Sequence, residues 1–274
     1  MSSKIIKKEF KAKKYFGQNF LKDPNIANKI VELSLVNNNT TVIEVGPGMG
    51  SLTIPLLQKA KEVIVYEIDK DIVPILEENT KEYTNLKIIA GDILKEDISW
   101  INDVDGEVIS VSNLPYYITS PIISKFLDEA KNIKRMYFMV QKEVAERISA
   151  KVGTKDYNAF SILTQYEADT KTVLNVKRTS FSPAPNVDSA IIEIKRKDNQ
   201  IKPHNEELFK KIVYQSFKER RKTLLNNLSA VCNKEELQDL LNKVNIDSSL
   251  RAESLSIDDF INLSNAFEEL LWNT

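Results

Sequence analysis

The chain has 274 residues, 42% of them apolar and 28% charged, with a net charge of −1; that suits one large soluble domain, or a domain of about 200 residues with a small companion. A single cysteine, Cys232, rules out an internal disulfide, and a single histidine, His204, leaves no histidine-based triad or metal cluster to build. No apolar run nears the ~20 residues of a membrane span, and no hydrophobic region follows the lysine-bearing start as in a signal peptide, so a cytoplasmic chain with neither membrane partner nor metal is expected.

The small net charge conceals a polarised chain. Residues 1–22 carry seven lysines against Glu9, a net of +6, and residues 175–222 carry twelve basic and six acidic residues, again +6. Residues 223–274 carry three basic residues against nine acidic ones, a net of −6. Two basic stretches far apart in sequence can form one face that meets a polyanion. A solvated tail and a solvated linker give the same count.

The first 22 residues read as a basic arm. Tyr15, Phe16 and Phe20 stand among its lysines and amides, which implies a segment that folds back onto the following domain. A helix then begins at Asp23-Pro24, with Asp23 as N-cap and Pro24 at the first helical position. Ile26, Ile30, Val31 and Leu33 give it an apolar face.

Val42-Ile43-Glu44-Val45 is a strand that stops at Gly46-Pro47-Gly48-Met49-Gly50, and Leu52 to Leu57 starts a helix. Three of the chain's seven glycines fall in those five residues. Glycine permits positive φ and lets a ligand approach the backbone. The turn resembles the cofactor loop of Rossmann-like methyltransferases more than a P-loop, since no Gly-Lys-Ser/Thr follows; a glycine-rich turn in an unrelated α/β domain is the alternative. Val63 to Glu67 is a second strand, ending in an acid 21 residues beyond Gly46. From that position a carboxylate accepts the hydroxyl protons of a cofactor ribose. Leu86 to Asp92 is a third strand, closing in Gly91-Asp92. At the carboxyl edge of a parallel sheet Asp92 faces the ligand crevice, where it can accept from an adenine amine or cap the next helical turn.

Glu107 to Ser112 is a fourth strand and runs into Asn113-Leu114-Pro115-Tyr116. An amide, a proline and an aromatic at a sheet edge suit the methylation of a planar amine. The exocyclic nitrogen of adenine is a poor nucleophile because its lone pair is delocalised into the ring. The Asn113 side-chain oxygen and a backbone carbonyl near Leu114 can hold its two hydrogens and aim the lone pair at a methyl group. Pro115 has no N–H to compete there, and Tyr116 offers a face on which an extruded base stacks. No general base is required, since the amine proton becomes acidic as the methyl group arrives. In isolation, an Asn-x-Pro turn ending a strand is also common.

Thr119-Ser120-Pro121 opens another helix, and Arg135 to Val140 is a fifth, buried strand. The proline-fixed stretch Thr179 to Ser189 precedes a last strand, Ala190 to Ile194. Phe181 in that stretch either closes the second face of an extruded base or plugs the core beneath the loop. After a polar linker, Lys195 to Lys202, periodic apolar residues from Leu208 onward imply helix after helix, with Arg220-Arg221-Lys222 as a basic edge. The expected organisation is an arm over 1–22, a Rossmann-like α/β domain over 23–200 and a small all-α domain over 201–274.

Gly-Gln-Asn-Phe-Leu (17–21), Glu-Val-Gly-Pro-Gly-Met-Gly (44–50), Glu67, Gly-Asp (91–92), Asn-Leu-Pro-Tyr (113–116) and Phe-Ser-Pro-Ala-Pro-Asn-Val-Asp-Ser (181–189) occur in that order. Together, over essentially the whole chain, they make the sequence resemble the small-subunit ribosomal RNA adenine N6-dimethyltransferases. The resemblance implies a Rossmann-like class I methyltransferase fold and S-adenosylmethionine (S-adenosyl-L-methionine) as donor. It also implies two methyl groups placed on each of two adjacent adenosines near the 3′ end of small-subunit RNA, in ribosome biogenesis. The partner would be that RNA or an immature small subunit, and a monomer is the simplest reading.

Carried over by position, Gln18, Asn19, Leu21, Gly46, Gly48, Glu67, Ile68, Gly91, Asp92 and Asn113 would line the cofactor site. Asn113, Leu114, Pro115, Tyr116 and Phe181 would hold the target base, and Lys11, Lys13, Lys14, Arg220, Arg221 and Lys222 would contact RNA. Related macrolide-resistance enzymes, acting on large-subunit RNA, share most of these motifs, but Arg-Arg-Lys-Thr-Leu-Leu-Asn-Asn-Leu (220–228) looks like the small-subunit enzymes. A non-catalytic RNA-binding assembly or transcription factor on the same fold is a further alternative; the intact 113–116 motif, glycine loop and acids argue against it. The two basic stretches disfavour a small-molecule or DNA methyltransferase.

Overall fold

The computed structural model describes residue 13 and residues 17–272. Lys11 and Lys14, assigned above to RNA contact, lie outside the described residues, as do Tyr15 and Phe16. The chain divides into two compact units, Met1–Ala145 with Asp169–Arg196, and Glu146–Ala168 with Lys197–Thr274.

In chain order the strands of the first unit are β1 (Phe20–Leu21), β2 (Thr40–Val45), β3 (Glu62–Glu67), β4 (Leu86–Ala90), β5 (Glu107–Asn113), β6 (Ile133–Gln141), β7 (Ala168–Val176), β8 (Phe181–Ser182) and β9 (Ser189–Arg196). Seven of them form one sheet in the order β4-β3-β2-β5-β6-β9-β7. β2 to β6 are parallel, and β9 returns antiparallel against β6. Parallel strands are covered on both faces and therefore read as unbroken β-branched runs; all six residues of β2 are buried.

From β2 the chain lays down β3 and β4 on one side, then returns to place β5 and β6 on the other. Connections leaving β2 and β5 thus diverge, and in such sheets the crevice outside the carboxyl ends at that divergence takes the ligand. The register brings those ends level: Val45 pairs with Tyr66, Glu67 with Ala90 and Asn113 with Met139.

Helix α1 (Pro24–Leu33) starts as its sequence dictates, with the Asp23 carboxylate accepting from the Asn25 N–H and Pro24 leading the helix. It buries Ala27, Ile30 and Val31 in a core that also holds Val42, Val63, Val111 and Tyr137. Helices α2 (Thr53–Leu57), α3 (Val73–Thr80) and α4 (Thr119–Glu129) follow β2, β3 and β5. β1 and β8 form a separate antiparallel ribbon, Phe20 opposite Ser182 and Leu21 opposite Phe181.

Helix α5 (Lys142–Ile148) follows β6. The second unit is built of helices, α6 (Ala159–Glu167), α7 (Glu206–Ser216), α8 (Leu224–Leu228), α9 (Lys234–Lys243) and α10 (Ile257–Trp272). Its extent differs from the expected 201–274, because residues 146–168 group with it rather than with the sheet. The reason is packing: Tyr157, Ile162 and Tyr166 share one core with Phe209, Leu237 and Phe260, and the Tyr166 and Phe209 rings lie 4.9 Å apart between centroids. β7, which the sequence reading did not anticipate, is an edge strand whose residues are mostly half-buried or exposed. Among the described residues no helix is long and apolar enough to cross a membrane.

Candidate active site

The loop after β2 sets the site. Gly46 and Gly48 have φ of +69° and +56°, in the left-handed region that costs other residues energy. Space matters as much. A Cβ on Gly48 would lie 3.0 Å from the Phe20 ring, and one on Gly46 would lie 3.7 Å from Pro115 Cδ and 4.0 Å from the Asn113 carbonyl oxygen. The loops after β2 and β5 therefore face each other at close range, with the Phe20 ring of β1 laid against Gly48.

Around this loop opens a cleft with about 920 Å³ of empty space, part of it open solvent. Gln18, Asn19, Leu21, Gly46, Gly48, Glu67, Ile68, Gly91, Asp92 and Asn113 all line it, and so do Leu114, Pro115 and Tyr116. Four strand ends and the residues before α1 thus bring the expected cofactor residues and most expected base-holding residues to one place.

Glu67 is 4% exposed. Its Oε1 accepts from the Asp69 N–H at 2.8 Å and its Oε2 from the Gly48 N–H at 3.2 Å. Burial raises its pKa, and those backbone donors pull it back down. Each carboxylate oxygen retains lone-pair capacity for a ligand hydroxyl. Asp92 Oδ1 accepts from the Leu94 N–H at 3.1 Å, so the same residue caps the following turn and borders the cleft.

The Asn113 side-chain N–H donates to the Asn19 carbonyl at 3.1 Å. A carbonyl can be met only by the NH₂ end of that amide, which fixes the orientation of Oδ1. The Tyr116 hydroxyl pairs with Ser189 Oγ at 2.7 Å, and burial raises its pKa.

Two of the expected site residues stand apart from the cleft lining. Phe181 does not line the cleft: it is 1% exposed, pairs with Leu21 across the β1–β8 ribbon and belongs to the core with Val176 and Ile191, the position of a plug beneath the loop. Lys13 is held within the protein, its Nζ at 2.6 Å from both Asp69 Oδ1 and Asp71 Oδ2. The Lys13 N–H donates to Gln18 Oε1 and the Gln18 amide donates to Asp69 Oδ2, both at 2.8 Å. These contacts staple the arm to the turn after β3, with Lys13 as one of the clamps. In the second unit Arg220, Arg221 and Lys222 are exposed; Arg220 donates to the Lys155 carbonyl and Lys222 pairs with Glu219.

Some residues gain a place in the site that their sequence context does not give. Phe20, an arm aromatic within Gly-Gln-Asn-Phe-Leu, lies against Gly48. Tyr117, 56% exposed, lines the cleft beside Tyr116. Asp69 anchors the arm. Glu44, 1% exposed, lines the cleft from β2 with an Oε2 that has no hydrogen-bond partner. A carboxylate inside a fully buried strand is the available signal for the last, since such groups are rarely buried without a purpose.

A model of the family described as ribosomal RNA adenine dimethylase matches residues 9–269. The chain is 45% identical over 272 residues to the ribosomal RNA small subunit methyltransferase A of Geobacillus sp. (strain WCH70), covering 96% of this chain and 94% of that one. It is 43% identical to the protein of the same description from Clostridium botulinum (strain Kyoto / Type A2), covering 97% and 98%. A crystal structure of a dimethyladenosine transferase from Plasmodium falciparum superposes with a TM-score of 0.78 at 28% identity, covering 91% of this chain and 98% of that one. With a match that runs through every strand end bordering the cleft, the chain belongs to the ribosomal RNA adenine dimethylase family.

Proposed function

We propose that the protein transfers methyl groups from S-adenosylmethionine to the exocyclic amines of two adjacent adenosines near the 3′ end of small-subunit ribosomal RNA. The observation that carries the chemistry is Asn113: its NH₂ end is tied to the Asn19 carbonyl, leaving Oδ1 as an acceptor in a cleft that Leu114, Pro115 and Tyr116 also line.

The residues present fit the donor. Glycines at positions 46 and 48 leave room that a Cβ would narrow, Glu67 offers carboxylate oxygens for ribose hydroxyls, and Asp92 offers one for an adenine amine. Glu44 adds a buried acceptor without a partner, which suits a ligand that brings positive charge. When bound, S-adenosylmethionine supplies an already activated methyl group.

This chain's residues then have mainly to position. Asn113 Oδ1 and the Leu114 carbonyl accept the two amine hydrogens, turning the nitrogen lone pair toward the donor. Tyr116 supplies a face for the extruded base. Pro115 presents no competing N–H. Orientation of this kind can supply on the order of 7–11 kcal/mol of a barrier. Arg220, Arg221 and Lys222 grip phosphates, which makes binding strongly salt-dependent. The protein acts as a monomer in the cytoplasm, on immature small subunits. The 43–45% identity to proteins described as small subunit methyltransferase A favours that subunit over the large one.

The test supplies purified protein and methyl-labelled S-adenosylmethionine with immature small subunits or with large subunits. Label on small-subunit RNA, found as dimethyladenosine, supports the reading. Label on the large subunit, or on neither, overturns it.

A further inference from the structure

Glu44 serves no evident structural purpose. It sits on β2, 1% exposed, in the strand that leads into Gly46. Its Oε2 makes no hydrogen bond of good geometry, and the Thr53 hydroxyl beside it is otherwise unpartnered too. Leaving a buried carboxylate oxygen unpaired is costly, and an apolar residue would pack in β2 without that penalty. Yet Glu44 borders the same cleft as Glu67 and Asn113.

The groups facing it explain what state it is in. From α2 comes the Thr53 hydroxyl, close enough to favour the ionised form, and from β3 comes Glu67, a like charge that opposes it. Burial, with Glu67 beside it, pushes the Glu44 pKa up to about 8, so near neutral pH the side chain holds its proton. A positive charge entering the cleft changes that balance, because an opposite charge within a few ångströms favours the ionised form.

We propose that Glu44 is a charge-selecting residue of the cleft, one that gives up its proton when the sulfonium-bearing donor binds and so favours the donor over its product. The inference rests on the reading of S-adenosylmethionine as donor. S-Adenosylmethionine carries a positive sulfur, and S-adenosylhomocysteine, left after methyl transfer, carries a neutral one. The two otherwise share amino acid, ribose and adenine. A carboxylate that ionises for the first and re-protonates for the second holds the charged donor and loosens on the product. The proton passes to solvent when the donor binds and is taken back from solvent once methyl transfer leaves a neutral sulfur in the cleft.

Calorimetry tests this by binding, without turnover. Titrations at pH 7.0 in buffers of different ionisation enthalpy count the protons released. A group that titrates near 8 is about 90% protonated at that pH, so up to about 0.9 proton is available. Wild-type protein is expected to release most of it with S-adenosylmethionine and less than half as much with S-adenosylhomocysteine. Glu44→Gln, similar in shape but without the proton, is expected to abolish that difference. It should weaken S-adenosylmethionine about tenfold and S-adenosylhomocysteine less than threefold.

A second measurement needs no variant. Between pH 5.5 and 7.0 the wild-type affinity for S-adenosylmethionine should climb by up to about tenfold per pH unit relative to that for S-adenosylhomocysteine. Equal proton release in wild type and Glu44→Gln, or a donor-to-product preference that does not move with pH, overturns the proposal. Failure of wild-type protein to bind S-adenosylmethionine at all would instead overturn the functional reading beneath it.

Discussion

The side-chain amide of Asn113, at the end of β5, donates to the backbone carbonyl of Asn19 at 3.1 Å, joining residues 94 apart in the chain. That bond ties the arm segment to the sheet edge and orients the one side-chain acceptor the proposed chemistry depends on. Asn113→Ala removes the acceptor and leaves the glycine loop, Glu67 and Asp92 in place. Methyl transfer should fall by on the order of 10²–10³-fold, with donor affinity changed by less than about fivefold. Single-turnover rates with labelled donor, set beside calorimetric affinities, check both halves. Near wild-type transfer would remove Asn113 from its role.

Glu67 accepts from the Gly48 and Asp69 N–H groups while bordering the cleft. Glu67→Gln should weaken donor binding by about 10–100-fold, as expected for losing a charged acceptor of ribose hydroxyls, and alter RNA affinity less than about twofold. Calorimetry for the donor and filter binding for RNA give the comparison; the reverse order would take Glu67 off the ribose.

Asp69 receives both the Lys13 ammonium and the Gln18 amide, and its carboxyl is lowered from the ordinary value: burial opposes ionisation but the bonds from Lys13, Gln18 and Asp71 outweigh it. Asp69→Ala leaves both arm residues without that anchor. Amides of residues 17–21 should exchange with solvent faster by about tenfold or more, while those of β2 and β5 stay as protected as before. Hydrogen-exchange mass spectrometry reads this directly, and unchanged exchange in the arm would show that the clamp holds nothing.

The buried Glu44 also makes stability pH-dependent. An acid that ionises near its ordinary 4.5 when unfolded and at about 8 when folded binds a proton in the folded state across that interval. Its contribution is therefore fully present below about pH 4.5 and is lost as pH rises through about 8, with a slope of at most about 1.4 kcal/mol per pH unit. Glu67, also raised by burial, acts with the same sign. Thermal or urea unfolding without donor should show wild-type stability declining from pH 6 to 8 and Glu44→Gln declining less. A variant as steep as wild type would mean that Glu44 does not titrate there.

Arg221→Ala should lower RNA affinity and flatten its salt dependence by about 0.7–0.9 in the slope of log K against log salt, the size of one lost phosphate contact. Its exposed position implies a stability change within about 0.5 kcal/mol. Filter binding over a salt series checks the slope, and an unchanged slope would place the RNA elsewhere.

Much of this site was legible because its signals are local. Buried parallel strands such as Thr40–Val45 favour β-branched residues, five of the six here, and a turn with Gly46 and Gly48 at positive φ needs glycine. Asp23-Pro24 announces a helix start through capping chemistry confined to three residues. What stayed hidden depends on partners far away in sequence. The burial of Phe181 depends on Leu21 opposite it, and the ion pairs of Lys13 depend on Asp69 and Asp71. Residues 146–168 join the helical unit because Tyr166 meets Phe209, which no periodicity reveals. β7 escaped notice because an edge strand with few buried positions lacks the apolar run that marks its neighbours.

Reverse transcription across small-subunit ribosomal RNA, from cells with and without the gene, tests the central claim most directly. The account predicts stops at two neighbouring adenosines near the 3′ end that vanish with the gene and return when it is restored. Stops that persist without the gene, or that disappear from large-subunit RNA instead, would contradict it.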